Sequence, residues 1–336
     1  MNTPDASATH SPRIQWYRSP LGEPRLAELM QSSDARGLAL AAGHLALLTA
    51  TGGACVWTLS QGHLLVATIL LWVHGACYSF LGFAGAAHEL AHRNVFRTRM
   101  LNELFLYLFC FLTWNNPVYF RASHARHHRG TLHAVLDGEV RAPVRVDTAA
   151  WIWELTLDLP ALRRALRIVI DNSRGIIRGD WGARLFPPGE EQARRRLIAW
   201  ARVMLGGHAL LAAAFLATGH WPLLLLVSLA PFIADWLNKT LALAQHAGMQ
   251  SEVNDFRLNS RSVALNPLLG FLYWQMHYHV EHHMYPGVPC YHLKALRQEI
   301  HGDLPHACKG MRGVLRELLA ERHAGVAAER PARVVR

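Results

Sequence analysis

Apolar runs longer than twenty residues dominate two stretches of the chain. Residues 37–59 and 63–87 contain no Asp, Glu, Lys or Arg. Residues 197–218 contain one, Arg202, and residues 221–243 contain Asp235 and Lys239. Each run is long enough to cross a ~30 Å hydrocarbon layer at ~1.5 Å per residue. The pattern predicts an all-α membrane protein with four transmembrane helices, over about 37–59, 63–87, 197–218 and 221–243. Buried helices of a large soluble protein are the alternative, but four such runs are hard to hide in a soluble core.

The remaining segments read differently. Residues 1–36 are polar and contain Pro, as in a loose lead-in to one membrane domain over 37–319; the Ala- and Arg-rich 320–336 reads as a flexible tail. Residues 101–114 are apolar but too short to span, so they are expected to be re-entrant or interfacial, ending at Asn115-Asn116-Pro117. Residues 147–170 carry Trp151, Trp153, Arg163, Arg164 and Arg167. They predict an amphipathic helix, lying either on the inner membrane surface or against a cytoplasmic cap. Pro187-Pro188 marks a break before the third span. Residues 254–263 read as an extended loop, and Pro267 opens a predicted helix over 268–283.

Charge sets the orientation. Of 34 Lys and Arg, 4 precede residue 37, 17 fall in 88–196 and 11 in 244–336, whereas the short links 60–62 and 219–220 carry none. The positive-inside rule then places both termini and the central segment in the cytoplasm. The net charge of +10 is thus largely topological, and it suits an anionic membrane surface or an acidic partner. No nucleic-acid motif is evident, so nucleic acid is not an expected partner. The five cysteines are odd in number and scattered, which implies no disulfide framework. The first 36 residues lack an apolar signal-peptide core.

The chemistry lies in nine histidines in four groups: His88 and His92; His124, His127 and His128; His246; and His279, His282 and His283. Two groups share the spacing His-x-x-His-His. Positions i, i+3 and i+4 stand on one helical face, so each group aims its rings at one point. Neutral imidazole suits zinc, copper, iron and nickel, and nine ligands are too many for one ion but about right for two. All nine fall on the expected cytoplasmic side. His88-Glu89-Leu90-Ala91-His92 alone also matches the zinc-peptidase pattern, in which the Glu is a general base. That reading leaves the other histidines unexplained. A metal transporter or sensor is a further alternative, but its ligands should lie at mid-membrane.

The set resembles the membrane fatty acid desaturase and hydroxylase superfamily. Its three histidine boxes correspond to His88-x-x-x-His92, His124-x-x-His127-His128 and His279-x-x-His282-His283, and Gln245-His246-Ala247-Gly248-Met249 resembles the family's extra histidine. The resemblance implies a four-span scaffold with a cytoplasmic helical cap over two Fe ions, held by all nine histidines as metal ligands and catalytic residues. It implies an O2-dependent oxidoreductase, with O2 as co-substrate, that desaturates a fatty acyl or other lipid-like chain; hydroxylation of a lipid or small specialised metabolite is the alternative. Electrons would come from a separate carrier of the ferredoxin, rubredoxin or cytochrome b5 type with its reductase. Membrane lipid is the other expected partner, and the bacterial cytoplasmic membrane the expected location. Two departures stand out. Ala242 replaces an Asn that in animal acyl-CoA desaturases holds a water on one iron, and His277 stands where many relatives carry Asn.

Each ligating ring should pass its second N–H to an acceptor. Glu89, Asp137, Glu139, Asp255 and Glu281 are near enough in sequence, with Asp137 preferred and the others read as solvated carboxylates. Asp235 and Lys239, four residues apart within a span, read either as a structural ion pair or as a channel lining that holds a polar substrate group. His44, His74 and His208 read as helix-packing or lipid-interface residues.

Overall fold

The computed structural model describes residues 14–144, 147 and 149–324, with side chains given to residue 320. The flexible-tail assignment therefore falls mostly outside the described residues. Those residues are almost wholly helical. Short helix α1 (Glu23–Leu29) leads to α2 (Asp34–Ser60), capped by the Ser33 side chain, which accepts from the Arg36 amide. Residues 14–36 are not a loose lead-in. Ser19 is fully buried, and Trp16 stacks on Phe256 at 4.2 Å.

Helix α3 (Leu64–Tyr78) returns alongside α2 and continues through a 3-10 turn, Ser79–Leu81, to α4 (Ala86–Ala91). Gly85 permits the sharp turn that aims α4: a Cβ there would lie 2.2 Å from the Phe80 carbonyl oxygen. Next come α5 (Arg99–Leu112) and α6 (Pro117–Gly130), separated where expected by Asn115-Asn116. The predicted helix over 147–170 is in fact two, α7 (Ala150–Glu154) and α8 (Leu159–Ser173), with Asp158 capping the second and Pro160 in its first turn. Helix α9 (Gly179–Leu185) precedes α10 (Glu191–Ala217), against which α8 packs.

Three helical stretches are long and apolar enough to cross a bilayer: α2, Leu64–Ala91 and α10. Leu65, Leu210 and Leu216 expose most of their surface, as lipid-facing side chains should. Together with the histidine chemistry below, they mark a membrane protein.

The fourth predicted span is not one helix. Residues 221–243 fold as a π turn (Leu224–Ser228), a 3-10 turn (Ala230–Phe232), an extended link and then α11 (Trp236–Ala244). Pro231 has no amide hydrogen, and Ala234 adopts φ +52, so a regular ladder cannot pass. The freed groups pair with the α7–α8 link instead: Ala234 N–H donates to Thr156 O at 2.8 Å, and Asp158 N–H donates to Phe232 O at 2.7 Å. Gly75 lets this irregular backbone approach α3, since a Cβ would meet the Ile233 oxygen at 2.3 Å.

The C-terminal third comprises α12 (Phe256–Asn259), β1 (Val263–Ala264), α13 (Pro267–Leu272), α14 (His279–Met284), α15 (Leu293–Ile300), β2 (Cys308–Lys309) and α16 (Gly310–Ala324). The expected loop at 254–263 thus holds a short helix, nucleated by Asp255, whose side chain accepts from the Arg257 amide. The expected helix over 268–283 is split by Trp274 and Gln275, both at positive φ. This break buries Trp274 completely and lets its indole N–H reach His44 Nδ1 at 3.2 Å. The two strands pair in parallel, Val263 opposite Cys308.

Candidate metal centre

Four short helical ends bring the nine histidines together. Helix α4 presents His88, and its C-cap is His92. Helix α6 presents His124, His127 and His128; it starts at the Asn116 side chain, which accepts from the Val118 and Tyr119 amides. His246 follows α11, and α14 presents His279, His282 and His283. The rings sort into two groups whose ligand atoms lie within 4.8 Å of one another: His88, His92, His124, His128 and His282 in one, and His127, His246, His279 and His283 in the other. The i, i+3, i+4 spacing divides the second and third boxes between the two groups, while His88 and His92 of the first box stay together.

The nitrogen spacing carries chemical information. In the first group Nε2 atoms face each other at 3.1 Å (His88–His282), 3.1 Å (His92–His124), 3.0 Å (His124–His128) and 3.2 Å (His128–His282). In the second the pairs His246–His279 and His279–His283 lie at 3.0 Å. Hydrogen bonds cannot account for all of these, because a ring has at most one Nε2–H and His279 Nε2 faces both His246 and His283. His88 Nδ1 faces the Phe83 carbonyl at 3.1 Å, His124 Nδ1 faces Glu139 at 2.7 Å, and His246 Nδ1 faces the Asn259 carbonyl at 2.9 Å. Those oxygens only accept, so each Nδ1 carries the proton and each neutral ring leaves Nε2 bare. Bare lone pairs at 3.0 Å repel unless a cation lies among them. Nitrogens bound about 2.0–2.1 Å from a common ion are spaced about 3 Å apart, as here.

A second layer fixes the rings. Asp137 accepts from His127 Nδ1 at 2.7 Å and also from the Leu132, Glu139 and Val140 amides. Glu139 binds both His124 and, at 2.6 Å, the Ser123 hydroxyl. Thr131 donates its hydroxyl to the His127 carbonyl and accepts from His283 Nδ1 at 3.2 Å. Glu89 is fully buried with Oε1 3.2 Å from His282 Nδ1, a charge contact without hydrogen-bond alignment. Glu139, a candidate behind the rings together with Asp137, does meet His124, and Glu89 is buried beside His282 rather than solvated. Helical folding back of the chain, not sequence distance, decides which acids meet the rings. Glu281 is also buried, but it serves Ser262 and Arg297 rather than a histidine. Asp255 caps α12 and pairs with Arg257.

Electrostatics keep most of the set in its ligating form. Burial, followed by the proximity of His127, lowers His246 to about 3 and His92 to about 4. Burial and neighbouring rings hold His124, His128, His279, His282 and His283 well below the usual imidazole value. His127 runs the other way. Burial opposes its charge, but the bond to Asp137 and the Asp137 and Glu139 charges outweigh it and raise the ring. A neutral donor set of this kind, backed by carboxylates that accept the outer N–H, is that of a transition-metal site.

The family model for fatty acid desaturases matches residues 62–314, about three quarters of the chain and all nine of these histidines. The chain belongs to the fatty acid desaturase family. No curated protein matches it. Membership implies an oxidoreductase acting on fatty acids, and the histidine groups suggest its metal site.

Other residues singled out by sequence lie elsewhere. Lys239 pairs with Asp235 at 2.7 Å, bonds Asp158, and has Glu154 at 3.9 Å. This cluster ties the broken fourth run to α7 and α8. His277 is in neither group. His44, His74 and His208 are buried between helices, His208 stacked on Trp114 at 3.9 Å. The carbonyls of Phe83 and Asn259 were not foreseen, because a main-chain acceptor leaves no mark in sequence. A polar recess of about 290 Å³ opens on the five-histidine group, lined by His92, His124, His128, Arg93 and Arg121. The second group is fully buried.

Proposed function

We propose that this protein is an O2-dependent membrane oxidase that desaturates an aliphatic chain, with one iron on each histidine group. The observation that carries the reading is the five-and-four division of the rings, with Nε2 atoms facing each other at about 3 Å. His88, His92, His124, His128 and His282 would hold one ion, and His127, His246, His279 and His283 the other. Two such irons supply, with O2, an oxidant able to attack an unactivated C–H bond. In the overall balance the chain loses two hydrogen atoms. These, with two protons and two electrons from a separate carrier, reduce O2 to two waters.

The protein's own residues set the stage. Asp137, Glu139, Thr131 and the Phe83 and Asn259 carbonyls lock each ring's tautomer, so the lone pairs point inward without reorganisation. Burial excludes water around the second group. The recess at Arg93 and Arg121 leaves the first group open to small molecules and places positive charge where an acidic electron carrier would approach. The broken run 221–243 is the fourth crossing in this reading. Irregular backbone is tolerated at membrane depth when protein surrounds it, as α3 and the α7–α8 link do here. The basic segments then face the cytoplasm of a bacterial inner membrane.

The peptidase reading loses its general base. Glu89 has no exposed surface and turns towards His282, so it has no room to activate a water. Detergent-purified protein should contain two irons per chain, consume O2 when reduced, and produce an unsaturated lipid in an expressing host. One tightly bound zinc, or hydroxylated product alone, would overturn the desaturase assignment.

A further inference from the structure

A second cavity lies away from the histidines. It measures about 640 Å³ and lies between α8, α10 and the turn from α5 into α6. This is within the range of pockets that enclose a small amphiphile. Its walls are mainly apolar: Phe83, Trp114, Ala161, Ala165, Val169 and Met204. Its rim is cationic. Arg164, Arg167 and Arg178 border it, and all three are exposed. Asp171 faces them as the one acid among the lining residues; it bonds Arg178 and lies 4.0 Å from Arg167. Arg164 has no ion-pair or hydrogen-bond partner among the described residues. The rim therefore carries a surplus of two positive charges beside an apolar chamber.

The inner end reaches the metal centre. Phe83 lines the cavity, and its own carbonyl accepts from His88 Nδ1 at 3.1 Å. Its ring stacks on Phe120 at 3.8 Å, and Phe120 stacks on His124 at 4.8 Å. Two stacked rings, Phe83 and Phe120, thus separate the chamber from His124 of the five-histidine group. Ile168 on α8 and Ile176 just after it also border the cavity and are exposed, as expected for a segment lying at the depth of lipid headgroups.

We propose that this chamber takes the substrate, and that the substrate is an amphiphile with an anionic head, whose carboxylate or phosphate sits against Arg164 while its hydrocarbon tail runs inward to Phe83. The proposal rests on the oxidase reading for what happens to the tail, but not for binding. A neutral hydrocarbon, sterol or carotenoid would fill the apolar walls and leave the guanidinium rim without a partner. Guanidinium matches carboxylate and phosphate equally well, so the two head chemistries must be separated by experiment.

Binding of three labelled probes to the full-length, iron-loaded protein in maltoside micelles distinguishes these cases: palmitate, hexadecanol and dipalmitoylphosphatidylglycerol. The two anionic probes are free carboxylate and phospholipid, and the tighter of them names the head. Arg164→Glu should weaken the anionic probe about tenfold or more and leave hexadecanol unchanged, the size expected for losing a hydrogen bond to a charged group. Arg163→Glu, on the same helix but outside the cavity, should change neither. Ala165→Trp should abolish binding of all three by filling the chamber. Equal affinity of the wild type for palmitate, the phospholipid and hexadecanol, or unchanged anion binding in both Arg164→Glu and Ala165→Trp, would overturn the proposal. Because binding is read without turnover, an anion-selective chamber in a protein that fails to consume O2 would sink the oxidase reading and leave this one standing.

Discussion

The two histidine groups differ in what surrounds them. The five-histidine group has two half-buried members, His92 and His128, and opens on a polar recess at one side, with the Phe83–Phe120 pair at the other. All four members of the second group are buried, and its orienting partners are internal: Asp137, Thr131 and the Asn259 carbonyl. The contrast suggests a division of labour. The open site is accessible to small molecules and has the 640 Å³ cavity beyond the Phe83–Phe120 pair, while the enclosed site is built for retention. The first should exchange its metal faster and the second hold it longer.

The largest effect comes from removing a ligand. His283→Ala should empty the enclosed site and His282→Ala the open one, each halving the iron content and abolishing turnover. Iron quantification together with O2 uptake checks both. If either variant lost both ions together, the two groups would behave as one cooperative unit and the contrast would fail.

Next in size are the carboxylates behind the rings. Asp137→Asn should weaken metal binding at the enclosed site about 10- to 100-fold, the usual cost of losing an acceptor behind a ligating histidine. Glu139→Gln should cost less at the open site, because the Glu139 side chain is partly exposed and the glutamine oxygen can still accept from His124 while its NH2 donates to the Ser123 hydroxyl. Competition with a chelator gives both affinities. Glu89→Gln sharpens the same comparison. It should lower retention of the open-site metal about tenfold, whereas a general-base role would make the change abolish any hydrolysis.

Metal removal should expose the titration of the rings. His92 and His246 are held near 4 and 3 in the folded protein, against about 6.5 in an unfolded chain. Their folded values are depressed, so the unfolded state binds the extra protons. The stability they support is present above about pH 6.5 and is lost as pH falls towards 4 and then 3. Each contributes up to about 1.4 kcal/mol per pH unit across that window. His127 has the opposite sign: its raised value favours folding below about 6.5 and loses that contribution as pH rises through the folded value. It offsets one of the others. Thermal melting of the metal-free protein between pH 8 and 5 should therefore show destabilisation on the acid side, with a smaller change in the iron-loaded protein.

Sequence periodicity grouped eight of the nine histidines because i, i+3 and i+4 fall on one helical face; His246 stands alone in sequence and was marked by the family resemblance. Periodicity could not show that the second and third boxes are each divided between two groups, since that depends on how four short helices cross. Hydropathy found the apolar run at 221–243 but misread its shape. Pro231 was visible there, and its missing amide hydrogen was the available warning. The break at Trp274-Gln275 had no such marker, because neither residue is a usual helix breaker and tertiary packing of the indole decides it. The carboxylates were half legible. Asp137 and Glu139 follow their box closely, but Glu89 meets His282 only because α4 and α14 come together.

The smallest expected effect tests whether the scaffold or the metal holds the open site together. Asn116 caps α6, the helix that carries three of the nine rings, by accepting from the Val118 and Tyr119 amides; its own amide donates to the Leu197 carbonyl at 3.0 Å. Asn116→Ala should cost about 1 kcal/mol through the cap. If the metals brace α6, the loss should be seen in the melting of the metal-free protein and be muted in the iron-loaded one. Asn116→Asp restores the acceptor and should recover most of the loss, because a carboxylate also suits a helix N-terminus. An equal loss with and without iron would mean that α6 is held by packing against α10 and not by its ligands, and that the open site is preformed before any ion arrives.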